Sequence, residues 1–126
     1  MERILNEQGS VHYISRLTTV EIQSAFALKA RTQAITAQDL QQIQKRIAAD
    51  FAARRFPVVR MLQNHFREAE QLIRKHAPTK AFRTLDSLQL AVALSLHSQG
   101  KLDHFVCADE KLCKVAEDEG LSVINP

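Results

Sequence analysis

The C-terminal stretch constrains the fold most. "HFVCA" (104–108), "DEKLCKVAEDEG" (109–120) and "LSVIN" (121–125) read as strand, helix and strand in immediate succession. Strands joined through a helix run parallel, because an antiparallel pair needs only a tight turn. The expected class is therefore an α/β layer fold with a parallel sheet. Asp109 begins the helix of this unit and Gly120 closes it.

Upstream, "VHYISRL" (11–17) reads as a short strand and "FPVVRM" (56–61) as a shorter one. Four helices precede the last unit. The first follows Thr18 or Thr19 as cap, with Val20, Ile22, Ala25, Phe26 and Leu28 on a broad apolar side. The second starts at Thr36 and carries the stripe Leu40, Ile43, Ile47 and Phe51. The third, "NHFREAEQLIRKHA", turns Phe66, Ala69, Leu72 and Ile73 inward and stops before Pro78. "RTLDSLQLAVALSLHSQG" (83–100) is a further helix, capped at Thr84 and ended by Gly100. It is apolar around most of its circumference, so it is expected to be buried on several sides.

A chain of 126 residues suits one domain, 1–126. With 45 % hydrophobic and 25 % charged residues it has an ordinary globular composition. No apolar run reaches the length of about 18 residues that a membrane helix needs. "MERILNEQGS" lacks the apolar core of a signal peptide, and a cytoplasmic protein is expected. Cys107 and Cys113, with no CxxC and no His pair nearby, read as reduced buried thiols rather than a disulfide or zinc site. A net charge of +3 is compatible with a nucleic-acid partner without requiring one.

Three acids stand out. Glu21, Asp86 and Asp109 each fall at the start of a helix. Singly, each is explained by the free N–H groups and macrodipole of a helix N-terminus. Together they lie beside strongly apolar segments, and Glu21 and Asp109 each follow a strand. In open α/β sheets that edge, at the carboxyl ends of the strands, is the usual site. Convergent carboxylates without Cys or clustered His favour a hard cation, Mg²⁺ or Mn²⁺. The five His are scattered, and His97 reads as a surface residue. No GxGxxG, GxxxxGK[ST] or GxSxG motif occurs. Arg74, Lys75, Lys80 and Arg83 precede Asp86 and can meet RNA phosphates; a solvated basic face explains them equally well.

"RTLDSLQLAVAL" followed by "HFVCADEKLCKVAEDEGLSVINP" resembles the C-terminal half of PIN-domain proteins, and "LTTVEIQSAFALK" resembles their first conserved Glu helix. By pattern the chain is most similar to the VapC-like toxins of bacterial toxin–antitoxin pairs, from about residue 11 to the end. The resemblance implies a three-layer α/β/α, Rossmann-like sandwich and a metal-dependent endoribonuclease that hydrolyses RNA phosphodiesters. It assigns Glu21, Asp86 and Asp109 as catalytic metal ligands for Mg²⁺ or Mn²⁺. It also implies an antitoxin protein and a homodimer as partners. The stripe Leu40, Ile43, Ile47 and Phe51 is a candidate surface for either, with intramolecular packing the favoured use. Cys107 stands where Thr or Ser is frequent in the family.

The family opens on an apolar strand ending in Asp. "MERILNEQGSVHYIS" has neither, and Glu2 and Glu7 are its only acids. The chain is therefore expected to be an N-terminally truncated PIN-like domain whose first central strand is missing. Loss of an interior strand exposes backbone edges on both sides of the gap. The alternative to an active nuclease is a catalytically weak PIN-like module that binds an antitoxin or a partner chain.

Overall fold

The computed structural model describes residues 11–126, so Glu2, Glu7 and the expected absence of a leading strand lie outside the described residues. The chain divides into two compact units, Met1–Arg60 and Met61–Pro126. Both combine helices with a pair of short parallel strands, so the class is α/β with a large helical share.

The first unit holds β1 (Ile14–Ser15), α1 (Arg16–Arg31), α2 (Ala37–Ala52) and β2 (Val58–Val59). β1 and β2 pair in parallel, Ile14 opposite Val58, and the Ile14 N–H donates to Pro57 O at 3.1 Å. The strand is shorter than expected because α1 starts earlier. Ser15, not Thr18 or Thr19, is the N-cap, its hydroxyl accepting from the Thr18 N–H at 3.3 Å. The Thr19 hydroxyl is engaged inside the helix, donating to Arg16 O at 2.6 Å. Three competing hydroxyls in "SRLTT" made the start ambiguous, and the most upstream one prevails.

α2 begins where expected. Thr36 accepts from the Asp39 N–H at 3.0 Å and Asp39 accepts from the Thr36 N–H at 3.1 Å, a complete capping box. Its stripe of Leu40, Ile43, Ile47 and Phe51 is half-buried throughout. On α1, Val20 and Leu28 are exposed, at 61 % and 47 %. Every fully buried apolar side chain among the described residues belongs to the second unit.

That second unit holds α3 (Gln63–His76), α4 (Thr84–Ser98), β3 (Phe105–Val106), α5 (Glu110–Asp118) and β4 (Val123–Ile124). β3 and β4 pair in parallel around α5, Phe105 opposite Val123, as the C-terminal pattern predicts. α4 is the centre of the core: Leu90, Ala91 and Ala93 pack with Ala69 and Leu72 of α3, Val115 and Ala116 of α5, and Phe82 and Leu121. The small residues at 69, 91, 93 and 116 let the helices approach closely around Leu90, which is fully buried.

One expectation fails here. Phe66 is exposed at 49 %, and the buried face of α3 is His65, Ala69, Leu72 and His76. Those four recur at helical spacing, one residue back from Phe66. Among the described residues the strands form two two-stranded parallel pairs, β1 with β2 and β3 with β4. A two-residue strand offers few ladder positions, so each pair extends no further than its own partner.

Candidate functional site

Two of the three predicted acids sit at helix starts, and their bonds explain why. Asp86 is the third residue of α4 after its cap, Arg83, and its Oδ2 accepts from the Arg83 N–H at 3.2 Å. The cap is therefore Arg83 and not Thr84, with Asp86 reaching back as the acid of a capping box does. Asp109 is itself the cap of α5; its Oδ1 accepts from the Lys111 N–H at 2.9 Å, and its backbone carbonyl accepts from the Cys113 N–H at 2.9 Å. It stands directly beyond β3, on the carboxyl side of that strand.

The remaining oxygens, Asp86 Oδ1 and Asp109 Oδ2, make no hydrogen bond among the described residues. Asp86 is half-buried and Asp109 exposed. Glu21 belongs to the first unit and is half-buried. Because α1 starts at Arg16, Glu21 lies in its second turn, not its first, and no acid occupies the first turn of α1. The helix dipole thus accounts less well for Glu21 than its sequence position suggested. Among the described residues no three His, Cys, Asp or Glu side chains are grouped so that they could hold a metal ion together.

Cys107 and Cys113 are buried, reduced thiols. Cys113 Sγ donates to Cys107 O at 3.1 Å, and Cys107 Sγ donates to Asp109 O at 3.3 Å. Burial, reinforced by the neighbouring Cys113 thiol, pushes the Cys107 thiol up to about 12, so it is unreactive.

The four basic residues predicted to meet RNA divide into two kinds. Arg74 and Arg83 are exposed and make no ion pair among the described residues. Lys75 and Lys80 are tied into a network that no sequence pattern announced. Lys75 Nζ donates to Glu119 Oε2 at 2.7 Å, and His76 Nε2 meets the same oxygen at 2.7 Å. Lys80 Nζ lies 3.1 Å from His76 Nδ1 and 2.9 Å from Asp118 Oδ2. An ammonium can only donate, so Nδ1 accepts from Lys80 and the ring proton sits on Nε2, donated to Glu119. His76 is buried and meets Phe82 edge-on at 5.8 Å.

Burial alone would raise the Glu119 carboxyl, but hydrogen bonds from Lys75 and His76 hold it below its ordinary range. The Lys80 ammonium holds Asp118 down likewise. His65 is also buried, which lowers its pKa; its Nδ1 accepts from the Leu62 N–H at 2.9 Å, standing in for a side-chain cap.

No helix of the described residues is long and apolar enough to cross a membrane. No family model, curated protein or solved structure matches the chain significantly.

Proposed function

We propose that this chain is a PIN-type endoribonuclease dependent on Mg²⁺ or Mn²⁺, a cytoplasmic toxin-like enzyme partnered by an antitoxin protein and by a second copy of itself. The observation that carries the reading is the placement of Asp109. It stands at the carboxyl end of a strand in a parallel pair, where α/β proteins build their sites, with one carboxylate oxygen outside the capping bond. Asp86 keeps one oxygen in the same way. Oxygen-only donors suit a hard cation, so Asp86 and Asp109 of the second unit are the residues to hold it, with water completing its shell. When bound, such a cation lowers the pKa of a coordinated water and stabilises charge on a phosphodiester. Arg74 and Arg83, the two unpaired members of the basic set, position the RNA backbone, with Lys75 and Lys80 beside them.

The test is cleavage of single-stranded RNA in Mn²⁺ buffer. Asp86→Asn is expected to lower the rate at least tenfold while leaving the far-ultraviolet circular dichroism unchanged, because an amide oxygen still accepts from the Arg83 N–H. Equal rates in parent and variant would remove Asp86 from the site.

The exposed Val20 and Leu28 and the half-buried stripe on α2 favour a second reading. Under it the chain is a catalytically weak PIN-like module whose first unit covers its apolar surface with an antitoxin or partner chain. Stable complex formation without RNA cleavage separates the two.

A further inference from the structure

A second arrangement of charges adjoins the His76 network within the second unit and shares Lys80 and Asp118 with it. Lys80, Ala81, Lys111, Lys114, Glu117 and Asp118 line a pocket of about 510 Å³. Lys111 and Lys114 make no ion pair among the described residues. Lys80 is different: its ammonium is held in place by the buried His76 and by Asp118. Those bonds use two of its three N–H groups and leave the third available. An ammonium fixed from behind loses little side-chain entropy on binding a ligand. The Lys80–Asp118 pair is internally neutral, so the free charge at the pocket is that of Lys111 and Lys114 against Glu117.

We propose that this pocket binds a phosphorylated sugar, with its phosphomonoester on Lys111, Lys114 and the remaining N–H of Lys80, and its hydroxyls on Glu117. Lysines act on phosphate as point charges, and Lys111 and Lys114 outweigh Glu117, so the pocket keeps a net positive charge that attracts a phosphomonoester of about −1.5 to −2 at neutral pH. The pocket volume exceeds what a lone phosphate fills and falls in the range of about 300–1,000 Å³ typical of small-molecule sites. Glu117 repels a phosphate, but a carboxylate is an acceptor for sugar hydroxyls. Ala81 leaves an uncharged wall for the sugar body.

The site is independent of the metal reading, so the experiment is run with a chelator present. Calorimetric titration of the full chain with ribose 5-phosphate, inorganic phosphate and ribose is the measurement. Ribose 5-phosphate is expected to bind more tightly than inorganic phosphate, and ribose not at all. Lys111→Ala with Lys114→Ala should weaken ribose 5-phosphate at least tenfold; both side chains are exposed, so circular dichroism should match the parent. Glu117→Gln should narrow the preference for ribose 5-phosphate over inorganic phosphate, because it weakens the acceptor for the sugar hydroxyls and relieves repulsion of the phosphate. No binding of ribose 5-phosphate at millimolar concentration, equal binding of ribose, or unchanged affinity in the double lysine variant would overturn the proposal. Inorganic phosphate binding as tightly as the sugar phosphate would overturn it as well.

Discussion

Leu90→Ala is expected to destabilise the second unit by about 2–5 kcal/mol. Leu90 is fully buried in α4, among Ala69 and Leu72 of α3 and Val115 and Ala116 of α5. Truncation removes the transfer free energy of its side chain and leaves a cavity. The alanines around it have no side-chain length with which to collapse into that space, so the cost should fall in the upper part of the range. Leu85→Ala on the same helix is the control. Leu85 is 48 % exposed, and its loss should cost less than about 1 kcal/mol. Urea unfolding followed by circular dichroism at 222 nm compares them, and equal midpoints in the two variants would contradict this placement of the core.

His76→Ala is expected to cost about 2–4 kcal/mol. The ring satisfies Glu119 on one side and Lys80 on the other, so its removal leaves two charged groups short of a partner and takes away the edge contact with Phe82. Lys75→Ala should leave the unfolding midpoint close to that of the parent, because Lys75 is exposed and Glu119 keeps His76. The same network sets a dependence on pH. The Glu119 carboxyl titrates below its ordinary value of 4.5, so its contribution is complete above that value and lost as pH falls through the lower folded pKa. Glu119→Gln should therefore flatten the acid limb of the stability curve while lowering stability at neutral pH. A parent and variant with parallel acid limbs would show that Glu119 is not held as described.

Local chemistry made part of this fold legible. Thr36 with Asp39 announces a helix start, and Gly100 and Gly120, with φ of 73° and 92°, end helices in the left-handed conformation that glycine tolerates. The strand–helix–strand pattern of the C-terminus predicted the parallel pairing of β3 and β4, because period and connection length leave little alternative. α3 was harder to read. Its buried face is bounded by His65 and His76, and histidine does not register in an apolar count, so the apolar pattern finds Ala69 and Leu72 but points to Phe66 in place of His65. The start of α1 was obscured by three hydroxyl residues of nearly equal capping preference.

The candidate site divides in the same way. Asp86 and Asp109 were recognisable because an acid at a helix start has a local signature. The His76–Glu119 network has none. Its partners are 43 residues apart in sequence, and only the packing of α3 and the end of α5 around a shared core joins them. Lys75 and Lys80 looked like free RNA-binding charges for the same reason: the acids that engage them lie far along the chain.

The central claim is that Asp109 and Asp86 keep carboxylate oxygens for a divalent cation beyond their capping bonds. Calorimetric titration of the full chain with Mn²⁺ tests it most directly. The expected result is binding at tens of micromolar or tighter, abolished by Asp109→Asn, in which the amide still caps α5 but the charge is gone. No binding heat from the parent up to millimolar Mn²⁺, or an affinity unchanged in Asp109→Asn, would contradict it.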